Sequence, residues 1–145
     1  MKTTVFDIVK YILSQTGGYI SAVKLQKLVY YSQAWSLVWD DKPLFDSKIE
    51  AWVDGPVVPD LYQEHKGKFT VSIDDFNGDV SNLSSDNIST IDEVLKAYSD
   101  KNAQWLSDLT HMEDPWLNAR KGLLGSQRGN NEITLDSMGE YYSSL

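Results

Sequence analysis

The chain has 145 residues, enough for one core of ordinary size and too few for two, so residues 1–145 are expected to form a single domain. Hydrophobic side chains make up 41% and charged ones 23%, a balance that supports folding, while 13 Lys and Arg against 21 Asp and Glu leave a net charge of −8, which disfavours binding to phosphate backbones and suits a basic protein partner. The absence of cysteine excludes disulfide frameworks, thiolate nucleophiles and thiolate metal sites.

Val5, Ile8, Val9, Ile12 and Leu13 recur at helical spacing behind Thr4, a capping residue, and predict a helix over 5–15 that Gly17 and Gly18 terminate. Ser21 caps a second, longer helix over 22–39 with Leu25, Leu28, Val29, Trp35 and Val38 on its apolar stripe; this is expected to be the central helix. Asp40 to Pro43 break it, and Leu44 and Phe45 pack back. Ile49 to Val53 alternate as a short strand ending at the turn pair Asp54 and Gly55. Pro56 to Pro59 cannot continue a central strand and are read as an elbow, with Pro59 opening a short helix through Lys66 that Gly67 closes. Between Phe69 and Asn87 only Val71 and Ile73 suggest an edge strand. Ile88, Ile91, Val94, Leu95 and Tyr98 predict a helix over 88–101 capped by Ser85 or Asp86. Asn102 caps a helix containing Trp105 and Leu109, Asp114 and Pro115 start another through Lys121, and a loop rich in glycine and asparagine around Arg128 leads to a last helix holding Met138, Tyr141 and Tyr142. The expected fold is mainly α (α+β), a compact helical domain with a small two- or three-stranded β element.

No apolar run reaches the roughly 18 residues of a membrane span, and the start of the chain carries Asp7 and Lys10, so an unprocessed cytoplasmic protein is expected. The chain lacks a nucleophile elbow, a P-loop and a dinucleotide fingerprint, which points to no cofactor and no catalytic residues. His111, Glu113 and Asp114 are possible donors to a divalent metal, but their spacing follows no ligand pattern, and a capping Asp114 with a hydrogen-bonded His111 explains them better. Glu50, set in a strand between apolar neighbours, needs a partner if buried, with Lys24, Lys27 and Arg120 the candidates. Aromatic residues reach 12%: Trp35, Trp52, Trp105 and Trp116 are assigned to the core, and Tyr30, Tyr31, Trp39 and Tyr62 to the surface.

Several segments stand out together: the run from Lys24 through Gln26 and Tyr30 to Trp35, Pro43 to Asp46, Glu50 and Trp52 leading into Gly55, Pro56, Val57, Val58 and Pro59, then Leu61 and Tyr62, and later Thr110 and His111 with Pro115, Trp116 and Arg120. Their ensemble resembles the Panacea domain, the family of SocA-like antitoxins and phage-associated GepA-like proteins. The resemblance extends over about residues 18–142. It implies a small, mostly helical antitoxin whose activity is binding, with a cognate protein toxin encoded beside it, often in a prophage. One relative instead delivers its toxin to a cytoplasmic protease, so a proteolytic adaptor or phage-encoded modulator of a host protein is the alternative. A metal-dependent or acid/base enzyme is a third and weaker reading.

Most motif positions are expected to be scaffold: Lys24, Gln26, Trp35, Trp52, Gly55, Pro56, Pro59, His111, Pro115, Trp116 and Arg120, with His111 tying the bend before Pro115 to the Gly55–Pro59 elbow. An acidic, aromatic partner surface near the central helix and the elbow is assigned to Tyr30, Tyr31, Trp39, Glu50, Val57, Val58 and Tyr62.

Overall fold

The computed structural model describes residues 2–145. Its elements, in chain order, are α1 (Val5–Gln15), β1 (Tyr19–Ser21), α2 (Ala22–Trp39), β2 (Ile49–Trp52), β3 (Gly55–Val57), α3 (Pro59–His65), β4 (Thr70–Ser72), α4 (Ser85–Tyr98), α5 (Ala103–His111), α6 (Asp114–Ala119), β5 (Glu132–Ile133) and α7 (Leu135–Ser143). The class is α+β, with two small antiparallel sheets: β1 pairs with β4, and β2 lies between β3 and β5.

Helix α2 organises the rest. Ser21 caps it by accepting the Lys24 amide at 3.1 Å, and α1, α4, α5, α7 and β3 pack around it. Leu25, Leu28, Val29, Tyr30, Tyr31 and Ala34 are buried, and so are the polar Gln26, Lys27, Ser32, Gln33 and Ser36. The apolar stripe expected from the sequence is therefore only part of a helix enclosed on almost every side, and its buried polar side chains must find partners. Gln33 brackets the returning loop: its Oε1 accepts from the Leu44 amide at 2.7 Å, and its Nε2 donates to the Phe45 carbonyl at 2.9 Å. Ser36 donates to the Lys42 carbonyl at 2.7 Å.

The stretch from 69 to 87 holds β4 and two 3₁₀ turns, Ile73–Asp75 and Val80–Asn82. It is anchored to α1 by side chains the periodicity did not single out. Asp7 forms a capping box with Thr4 and also accepts from the Asp79 amide at 2.8 Å and from Asn82 at 3.3 Å, while Lys10 donates to the Ile73 carbonyl at 3.0 Å.

Several expected boundaries move. Helix α4 starts three residues earlier, because Ser84 and Asn87 complete a reciprocal capping box that outranks Ser85 and Asp86. The first part of the elbow is itself a strand: Gly55–Val57 pairs with β2 at the edge of the sheet, not in its centre, and there the missing proline amide faces away from β2. The two short strands β1 and β5, not anticipated from the sequence, complete the sheets. Trp105, assigned to the core, is 45% exposed and lies under the ammonium of Lys101.

Tyr30 and Tyr31, assigned to the surface, are 1% and 0% exposed. They belong to an aromatic cluster built around one carboxyl group. Tyr31 and Tyr142 both donate to Glu113 Oε1, at 2.7 and 2.8 Å, and the Tyr30 and Tyr142 hydroxyls lie 3.0 Å apart. Tyr98 stacks on Tyr31 with centroids 4.2 Å apart and accepts from the Trp35 indole at 3.1 Å. Glu113 rather than Asp114 occupies the N-cap of α6; its side chain makes no cap bond because it is committed to the tyrosines. Burial raises the carboxyl's pKa, and the two phenol donors pull it part of the way back. Replacing Glu113 with Ala leaves two buried hydroxyls without their acceptor and is expected to cost about 2–4 kcal/mol, whereas Glu113→Gln keeps an oxygen at that place and costs under about 1 kcal/mol. Urea unfolding midpoints of the two variants check this.

Candidate partner-binding cleft

A cleft of about 870 Å³ opens at the N-terminal end of α2. Gln26 and Lys27 form its floor, the β2–β3 hairpin contributes Trp52, Val53, Asp54 and Val57, α3 contributes Tyr62 and His65, and the segments 67–69 and 128–130 close the sides.

The floor is held by side-chain contacts to the backbone of the elbow. Gln26 accepts the Val58 amide at 2.9 Å and donates to the Val58 carbonyl at 3.4 Å, so its carboxamide pairs with both backbone polar groups of one residue. Its Nε2 also lies 3.0 Å from His65 Nε2, which makes that ring nitrogen the acceptor; burial lowers the His65 pKa and keeps the ring neutral. Lys27 donates to the Pro56 carbonyl at 3.2 Å. Gly55 has φ +126°, and a Cβ there would sit 2.6 Å from Lys27 Cε and 2.9 Å from Thr110 Oγ1. Glycine at 55 thus serves both the hairpin conformation and the passage of the lysine.

The far side of the hairpin is fixed by α6. Trp116 donates its indole N–H to the Trp52 carbonyl at 2.8 Å. Arg120 donates to the Ala51 carbonyl at 3.0 Å, to the Leu124 carbonyl at 3.3 Å and to the Gln127 carbonyl, and lies over the Trp116 ring. Tyr62 meets Trp52 edge to face at 4.9 Å.

The motif residues therefore divide. Gln26, Trp52, Gly55, Pro56, Val57, Pro59 and Tyr62 build the cleft or its backing; Trp116 and Arg120 brace it. Lys24 instead donates to the Ser99 carbonyl at 2.6 Å, at the C-terminal end of α4 where a cation is favoured. His111 does not tie the bend to the elbow. It packs on Trp116 with centroids 4.3 Å apart, its Nε2 has no hydrogen-bond partner, and Trp116 makes the tie. Pro115 lies in the first turn of α6.

Glu50 is buried, but its partners are Lys48 at 3.2 Å and the Trp52 indole at 2.9 Å, not Lys24, Lys27 or Arg120. The lysine next but one along the chain reaches it because the strand places both on one face. Val57 and Val58 are buried, so of the residues assigned to the partner surface only Trp39 and Tyr62 present substantial area. Those two do not form one patch. Trp39, 50% exposed and stacked on Trp35 at 5.0 Å, ends α2, about 20 Å of helix rise from Gln26. Lys68, Phe69 and Arg128, which the sequence did not single out, line the cleft as exposed residues. They come from loops without periodic pattern, and only the folded topology brings them there.

The family model of the antitoxin SocA-like, Panacea domain matches residues 25–117. The chain belongs to this family. The Panacea match takes in the cleft floor, the hairpin and α3, and leaves outside it Arg120 and the 128–130 wall. No curated protein and no solved structure gives a match. Among the described residues, no group of three or more His, Asp or Glu side chains stands together to hold a metal ion, and His111, Glu113 and Asp114 do not converge. No helix among them is long and apolar enough to cross a membrane.

Two consequences can be measured. Gly55→Ala forces a side chain against Lys27 and Thr110 in a backbone region that disfavours it, and is expected to cost about 2–4 kcal/mol by thermal or urea unfolding. Burial lowers the Lys27 pKa from 10.5 to about 8, with Asp54 opposing. Between those values the unfolded chain binds the proton more readily than the folded one, so stability rises with pH across that window, by on the order of 2 kcal/mol. Unfolding curves at about pH 7 and about pH 9, before the tyrosines of the unfolded chain ionise at about pH 10, will show the rise in the native chain and not in Lys27→Met.

Proposed function

We propose that this protein is an antitoxin that neutralises a cognate protein toxin by direct binding, acting in the cytoplasm and turning over no substrate. The observation that carries the reading is the antitoxin family match over residues 25–117, whose segments assemble the floor and two walls of the cleft. The mouth of that cleft supplies what a protein interface needs. Trp52 and Tyr62 are aromatic side chains held rigid by their mutual edge-to-face contact, and Phe69 stands 82% exposed beside the exposed Val23. The net charge of −8 acts at longer range, raising the rate of encounter with a basic toxin more than the final affinity.

The test is co-expression with the neighbouring open reading frame. Growth arrest by the neighbour alone, relieved by this chain with recovery of a stable complex, is the expected result; a harmless neighbour, or one that stays toxic, refutes it. Relief that disappears in a protease-deficient host, with the toxin then accumulating, identifies a proteolytic adaptor instead. Phe69→Ala removes no internal contact of the core and is expected to weaken toxin binding about tenfold or more while leaving the melting temperature unchanged, as titration calorimetry and a thermal scan will show.

A further inference from the structure

Among the described residues, two cations are buried without a carboxylate oxygen within 4.0 Å, and they are not equivalent. The guanidinium of Arg120, 5% exposed, donates to three backbone carbonyls and lies on an indole ring. The ammonium of Lys27, 1% exposed, has three N–H donors and gives one of them, to the Pro56 carbonyl at 3.2 Å. Among the described residues, no carboxylate oxygen lies within 4.0 Å of it. Leaving a buried charge with so few partners is unfavourable unless something else completes its shell. Lys27 is one of the residues that line the cleft, so an acceptor for its remaining donors can come from that side.

We propose that the cleft is a carboxylate-binding site with Lys27 as its counter-charge, and that its occupant is an acidic residue or C-terminal carboxylate on an extended segment of the protein partner. The identification of the occupant rests on the antitoxin reading above; the preference for a carboxylate rests on the cleft itself.

The balance of charge selects a monoanion. Of the other ionic groups on the walls, Lys68 is engaged by Asp75 at 2.5 Å, His65 is a neutral acceptor, Arg128 is positive and Asp54 negative. Together with Lys27 this leaves one net positive charge. A phosphate dianion would overbalance it. The remaining walls, with Trp52, Tyr62, Val57 and Phe69, accommodate the apolar part of the residue that carries the acid or of its neighbour, and the volume of about 870 Å³ exceeds what a carboxylate alone would fill.

The experiment uses the complete chain and small probes of matched shape: N-acetylphenylalanine, its neutral carboxamide, and phenyl phosphate. Each is titrated by NMR, with the Trp52 indole N–H and the Lys27 side-chain nitrogen as reporters. N-acetylphenylalanine is expected to bind in the millimolar range, at least about tenfold tighter than the carboxamide and tighter than phenyl phosphate. Lys27→Met should abolish the difference between acid and amide, and Arg128→Gln, on an exposed loop, should reduce it severalfold.

Equal binding of acid and amide, no saturation by about 20 mM, or tighter binding of the phosphate overturns the proposal on the native chain alone, whether or not Lys27→Met folds. Toxin neutralisation separates the two readings. A folded Lys27→Met chain that protects as well as the native one removes the partner's carboxylate from the cleft and leaves the antitoxin reading standing.

Discussion

A helix enclosed on almost every side has little solvent face on which to put polar residues, and α2 carries them anyway. Apart from Ser32, which donates back to the Leu28 carbonyl one turn earlier, each one lies opposite a piece of backbone that has no helix or sheet neighbour there to pair with. Gln33 and Ser36 hold residues 42 to 45, Gln26 holds Val58, Lys27 holds Pro56 and Lys24 holds Ser99. Buried peptide groups must be paired, and a carboxamide carries the same donor and acceptor as a peptide unit, so glutamine is the natural substitute for a missing strand. The irregular segments, and with them the cleft, depend on this one property of α2.

The arrangement also explains why the elbow holds its shape. Pro56 and Pro59 each lack an amide donor and restrict the residue before them, which leaves few backbone groups between 55 and 59 in need of partners. Gln26 and Lys27 take the remaining exposed edge of β3, while Trp116 and Arg120 take carbonyls of β2 from the opposite side. The hairpin is thus gripped by side chains from α2 and from α6, and Trp52 near its tip, with Tyr62 of α3 packed against it, is held in place without a large sheet beneath it. A rigid rim loses less entropy when a partner docks than a loop of the same composition would.

Much of this was legible in the sequence, and the part that was not has a common cause. Helix α1 and helix α2 follow from periodicity with Thr4 and Ser21 as caps, and α5 follows from Asn102, because a cap is a local interaction between residues three apart. Strand β5 and the 69–87 segment have no local signature. The two residues of β5 are ordered by pairing with β2, and the 3₁₀ turns by Asp7 and Lys10, 63 to 75 positions away. The cleft was half legible: its motif residues stood out, but the charged wall formed by Lys68 and Arg128 depends on which loops the fold brings together. The partner of Glu50 was sought among distant cations, when the alternation of the strand already placed Lys48 beside it.

The aromatic residues teach the opposite lesson, that abundance does not imply exposure. A composition with 12% aromatics suggests a sticky surface, yet Tyr30, Tyr31 and Tyr142 turn their hydroxyls inward to a shared carboxyl group. What made burial possible was Glu113, whose single oxygen satisfies two phenols at the junction of α2, α6 and α7. That junction includes the middle of α2, while the cleft occupies its start and Trp39 its end. The tyrosine cluster and the cleft therefore use different stretches of the same helix, and on the antitoxin reading substitutions at the cleft rim alter binding without passing through the tyrosine cluster.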